Sequence, residues 1–218
     1  MISSDWVVDI ATCATSDISI LESPLDPVTH DHSLVFQGTT YKNMGTVCFG
    51  AVYPKSPPYS TGHEWGRIKT VMRVEYDTPV WAGIYCLASH LPLTMTGSVY
   101  TLGFAGTSHL TLKKNTELGL TSATTKDILI IENVLVIPGT YAIELLWKTS
   151  WKRFQGIDFT ISMGRDFDTL QKVGHTVEKE DVRSLRPKAE GVFAGTFEQN
   201  RQFKVLYGHT IISKITPK

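Results

Sequence analysis

The feature that most constrains this chain is an alternation of apolar and polar residues with period two, repeated from residue 68 almost to the C-terminus. In the stretch 68–76, Ile68, Thr70, Met72, Val74 and Tyr76 share one face, while Lys69, Val71, Arg73 and Glu75 share the other. Successive side chains of a strand point to opposite faces, so this pattern predicts a half-buried β-strand and not a helix. Further strands are expected over 80–88, 98–105, 109–113, 140–148, 156–163, 191–197 and 203–215. The segment 127–137 is the most apolar and is expected to hold one or two buried strands. Turn signals such as Asp77-Thr78-Pro79, Gly106-Thr107-Ser108 and Pro138-Gly139 separate the strands, at the roughly 8–12-residue spacing of sandwiches and barrels.

Helix has few places to form. The polar stretch 177–185 reads as a solvated loop or one exposed turn. Before residue 60, prolines at 24, 27, 54, 57 and 58 make the pattern irregular, and Tyr53 to Tyr59 must be extended or polyproline-like. Strands at 6–10, 34–37 and 45–52 are plausible there, the first as a strand of the chain's own sheet. The expected fold is all-β, an antiparallel β-sandwich with little helix. Residues 1–60 form an irregular segment with the first strands packed on a sandwich of residues 61–218, one domain overall.

Charge narrows the partners. Lys plus Arg and Asp plus Glu each number 21, so the net charge is zero and the basic excess of a nucleic-acid binder is missing. No apolar run is long enough to span a bilayer, and the N-terminus lacks the basic start and apolar core of a secretory leader. The reading therefore expects no nucleic-acid partner, no membrane, and synthesis in a reducing cytosol. Cys13, Cys48 and Cys86 are odd in number and widely spaced, as befits reduced thiols rather than a zinc site.

The order of elements from residue 67 onward resembles the concanavalin A-like (laminin-G-like) jelly roll. The segments that carry it are KTVMRVEY, WAGIYCLAS, SVYTLGFAG with LTLKK, VIPGTYAIELLWK, and the late pair EGVFAGTF and KVLYGHTIISKI. Such domains occur among structural proteins of tailed bacteriophages. The resemblance implies a virion structural protein in capsid, collar or tail, assembled in the host cytoplasm with other copies of itself and other virion proteins. The alternative is a lectin-like carbohydrate-binding module.

Tests for chemistry return little. The Glu-x-Asp-x-Glu strand motif of retaining glycosidases on this fold, which sets its carboxylates on one face, is missing. A hydrolase would have to draw on distant carboxylates such as Glu75, Glu144 and Asp158. No nucleophile elbow, phosphate loop or dinucleotide motif is present, and no cofactor or metal is expected. His30-Asp31-His32 and the pair Asp166 and Asp168 are weak ligand sets. The chain is accordingly read as non-catalytic. Among five tryptophans, Trp147 falls on the apolar face of a strand and is expected in the core. Trp65 and Trp151, the latter beside Lys152 and Arg153, are the candidates for a ligand or interface site, where an indole stacks on a sugar or anchors a partner.

Overall fold

The structure, a computed structural model, describes residues 6–12, 17–23, 33–39, 48–55, 64–75, 80–89, 97–106, 108–115, 125–134, 137–150, 153, 155–184, 187–196 and 201–216. Two seven-stranded antiparallel sheets pack face to face as a jelly-roll sandwich. Sheet A runs β1 (Trp6–Thr12), β4 (Cys48–Pro54), β13 (Ala189–Thr196), β6 (Val80–Ala88), β7 (Val99–Gly106), β8 (His109–Asn115), β9 (Thr125–Ile131). Sheet B runs β12 (Gln171–Lys179), β11 (Gly156–Gly164), β10 (Gly139–Ser150), β5 (Trp65–Val74), β14 (Gln202–Lys214), β3 (Ser33–Thr39), β2 (Asp17–Ser23). Among the described residues the only helical piece is a 3-10 turn at Val182–Ser184. The early strands enter both sheets: β1 pairs with β4, while β2 and β3 extend sheet B beside β14.

Alternation decides the core. In β10, Ile143, Leu145 and Trp147 are fully buried between the sheets, while Glu144, Leu146 and Lys148 stay partly exposed. In β5, Ile68, Met72 and Val74 point the same way. Burying each such side chain contributes about 1.5–3 kcal/mol. Trp147 fits because its neighbour across the β5–β10 register is Gly66; a Cβ there would lie 2.3 Å from the indole ring. Tyr207 of β14 donates its hydroxyl to the Phe193 carbonyl of β13, joining the two sheets through the core. The single buried cysteine among the described residues, Cys86, is free, and burial first, then the Glu190 charge, raises its thiol well above the ordinary range. Cys13 and the Cys48 side chain lie outside the described residues.

Three expectations need correction. The stretch from 177 is not all loop: residues 171–179 form β12, the edge of sheet B, and their polarity is that of an edge strand facing solvent. The apolar segment from 127 is not the most buried: β9 is the edge of sheet A, and Ile130 is 48% exposed. An edge strand has core on one side only, which period alone does not reveal. Strand β2 was not expected at all. Across the side of the sandwich, Lys114 and Tyr100 hydrogen-bond Glu180 and Lys126 reaches Glu178 at 2.7 Å, tying β7, β8 and β9 to the end of β12.

Candidate functional site

Each sheet has an outer face, and the two faces differ in chemistry. On sheet A the outward positions of β6, β13, β7 and β4 form a second apolar cluster, with Trp81, Tyr85, Phe193 and Ala51 buried. Trp81 and Phe193 meet edge to face at 5.1 Å, and the Tyr85 hydroxyl donates to the Val52 carbonyl at 3.1 Å. Toward β8 the face turns polar but stays internally bonded. Asn115 donates to Thr101 at 2.8 Å and accepts from Thr125 at 3.1 Å. Lys113 pairs with Asp127 at 3.1 Å. This face is satisfied by itself.

The outer face of sheet B is open and charged. Register places Trp65, Lys148 and Asp158 in one row across β5, β10 and β11. The next row holds Arg67, Leu146, Thr160 and His175, and the one after it Lys69, Glu144 and Ser162. Trp65 is half-buried, and its Nε1 donates to the Thr149 carbonyl at 2.6 Å, so its ring is fixed in place with its one polar atom satisfied. The Lys148 ammonium sits 5.9 Å from the centre of that ring. Asp158 holds His175 at 3.0 Å. Further along β5, the Lys69 ammonium lies 4.4 Å over the ring of Phe167, which also meets His209 edge to face.

Of the residues singled out in the sequence, Trp65 sits in this face. Arg153 is exposed, and its backbone N–H donates to the Ser150 hydroxyl at 3.0 Å. Trp151 and Lys152 lie outside the described residues, as do His30, Asp31 and His32. Trp147 is in the core as expected. Glu75, Glu144 and Asp158 all fall on this outer face, but each is matched to a base: Glu75 to Arg73 and Lys204 at 2.8 Å, Glu144 to Arg67 at 3.9 Å, Asp158 to His175. Burial pushes the Glu75 carboxyl up, yet its bonds to Lys204 and Arg73 prevail and hold it below the ordinary carboxylate range. Asp166 spends its carboxylate on the Thr169 N–H at 2.9 Å, closing a tight turn. Among the described residues no cluster of three or more His, Cys, Asp or Glu is arranged to hold a metal. Sequence reasoning missed Phe167, His175 and Lys148 as site members. The alternation of Trp65, Arg67 and Lys69 on one face was available, but which strands flank β5 was not.

No protein-family model matches the chain, and no curated protein matches it. Solved structures do. An endo-β-1,4-glucuronan lyase from the fungus Trichoderma reesei superposes with a TM-score of 0.54 at 10% identity, covering 96% of this chain and 95% of that one. An alginate lyase of family PL-14 from Aplysia kurodai gives 0.58 at 10%, covering 90% and 87%. The VIP36 exoplasmic/lumenal domain, in its Ca2+/Man3GlcNAc-bound form, gives 0.55 at 7%, covering 98% and 84%. At these identities the likeness establishes the two-sheet jelly-roll sandwich and nothing finer.

Two expectations change in their light. Bacteriophage origin and virion assembly, placed first on sequence, find no support in these structures; the carbohydrate-binding alternative fits them better. The non-catalytic reading is overturned, because lyases are built on this same sandwich. Its premise was too narrow. A missing carboxylate motif speaks to one hydrolytic mechanism, whereas elimination needs a base that a His, Tyr or Lys can supply.

Proposed function

We propose that the chain recognises a polysaccharide on the outer face of sheet B, with Trp65 as the stacking platform. The observation that carries this is the row Trp65, Lys148, Asp158 with His175 beside it. A fixed, half-buried indole next to hydrogen-bonding groups presents an apolar surface for a sugar ring and polar partners for its hydroxyls. The likenesses to two lyases, of glucuronan and of alginate, and to a Man3GlcNAc-bound domain support the substrate class.

Thermal unfolding of the full chain against a panel of polysaccharides tests it. A bound glycan should raise Tm with its concentration by mass action. Trp65→Ala should abolish that rise while the variant still unfolds cooperatively. An undiminished rise in the variant would place the glycan elsewhere.

A second reading, that the bound glycan is also cleaved, has one observation in its favour. The Asp158–His175 pair is an imidazole oriented by a carboxylate, the arrangement used for proton transfer. New unsaturated or reducing ends should then accumulate with the wild type and not with His175→Ala.

A further inference from the structure

Among the residues whose side chains are described, the outer face of sheet B holds more positive than negative charge, although the chain as a whole is neutral. Arg67, Lys69, Arg73, Lys148, Lys172 and Lys204 stand there by register, against Glu75, Glu144 and Asp158. The acids are engaged. Glu75 is shared by Arg73 and Lys204, and Asp158 by His175. At 3.9 Å the Arg67–Glu144 contact is one of charge and not a hydrogen bond, so guanidinium donors stay available.

Lys69 and Lys148 are in a different position. Among the described residues neither has a carboxylate partner; each ammonium lies against an aromatic ring, Phe167 for Lys69 and Trp65 for Lys148. A ring holds an ammonium weakly where it is exposed and leaves its charge unneutralised. Lys148 pairs with Trp65, four residues along β5 from Lys69, so the two couplets stand about 13 Å apart along the strand. An anion arriving at either would displace no internal carboxylate. It would also gain from the positive potential of the whole face.

Resting on the glycan reading above, we infer that the glycan is acidic, its carboxylate or sulfate groups taking Lys69 and Lys148 as counter-ions while Trp65 stacks on a sugar ring. Neutral sugars would use the ring and the polar groups but leave both ammonium charges unneutralised. Charge-assisted contacts to two fixed cations give the face a preference for an acidic chain over its neutral counterpart.

Titration calorimetry on the full chain tests this with polygalacturonate, carboxyl-reduced polygalacturonate, dextran sulfate, dextran and a single-stranded oligonucleotide, at low and high salt. The expected result is that an acidic polymer binds at least about tenfold tighter than its neutral partner at low salt and loses that margin at high salt. Preference for polygalacturonate assigns carboxylate; preference for dextran sulfate assigns sulfate. Lys69→Gln and Lys148→Gln should each cut the acidic affinity about tenfold, with Tm unchanged, and so narrow the margin over the neutral polymer. Equal binding of acidic and neutral polymers, abolished by Trp65→Ala, would sink the acidic preference and leave the glycan reading standing. No binding of any glycan would sink both. Oligonucleotide binding as tight as that of the acidic glycan, and lost with the same lysines, would overturn the inference in favour of a nucleic-acid surface.

Discussion

Sheet A and sheet B each contribute one face to the core and turn the other outward, yet the two outer faces carry opposite burdens. Trp81 and Trp65 show the contrast in one residue type. Trp81 is 7% exposed, packed edge to face on Phe193 inside an apolar cluster. Trp65 is half-buried among charges, with its N–H spent on the chain's own backbone. The difference teaches that a jelly roll can close one outer face with apolar packing, where substitutions cost stability. On the proposed glycan reading the other face serves recognition, where substitutions are expected to cost binding. Strand β6, buried along its whole length, is the price sheet A shows in sequence: WAGIYCLA has almost no polar residue because both its faces meet apolar neighbours.

The sharpest way to break the comparison is to remove a ring from the closed face. Phe193→Ala deletes a fully buried side chain that packs against Trp81. Large-to-small changes of this kind cost about 3–5 kcal/mol, and urea unfolding should show it as a lower midpoint at unchanged slope. A loss under about 1 kcal/mol would mean that the outer face of sheet A is not a second core.

The polar corner of the same face gives the next largest effect. Asn115 is 1% exposed and serves Thr101 and Thr125 at once. Asn115→Ala leaves the buried Thr101 hydroxyl without this donor and should cost about 2 kcal/mol. Thr101→Val with Asn115→Leu should recover part of the loss, since apolar replacement of both buried partners leaves neither unsatisfied and the partly exposed Thr125 hydroxyl can turn to water. Failure to recover would show that packing, and not hydrogen bonding, sets the cost.

How far the sequence foretold these faces depends on what kind of information each needed. Strand periodicity is local, so β5, β6, β7, β8, β10, β11, β13 and β14 were legible, and Trp147 was placed in the core from alternation alone. Strand order is not local. That β5 lies between β10 and β14 brings residues more than sixty positions apart into register, and no pattern in residues 65–74 announces it. For that reason Trp65 could be singled out while Lys148 and Asp158, its row-mates, could not be attached to it. Edge strands were misjudged for a related reason. Composition shows how apolar a strand is, not whether a neighbour covers it, and β9 and β12 each lack a partner on one side of their sheet.

On the open face the same experiments should read differently. Trp65→Ala removes a half-buried ring whose hydrogen bond is to backbone. Its cost in stability is expected to be about 1–2 kcal/mol, well below that of Phe193→Ala, because a partly exposed side chain forfeits less buried area. A cost equal to that of Phe193→Ala would make Trp65 a core residue and remove the physical basis for a platform.

The smallest effect concerns charge, and its sign is fixed by Glu75. Burial raises this carboxyl, but the hydrogen bonds and charges of Lys204 and Arg73 outweigh it and leave it below its ordinary value. A carboxyl depressed in the folded chain adds stability above its unfolded value, and the contribution is lost as pH falls through the folded one. Glu75 is about a quarter exposed, so solvent screens the pair and the contribution is about 0.3–0.5 kcal/mol. Between pH 7 and pH 3 the wild type should therefore lose slightly more stability than Glu75→Gln, a difference that high salt at pH 7 should also shrink. If the variant lost as much as the wild type, Glu75 would not be the acid that balances Arg73 and Lys204. Lys204 would then join Lys69 and Lys148 as a charge the face keeps open to a ligand.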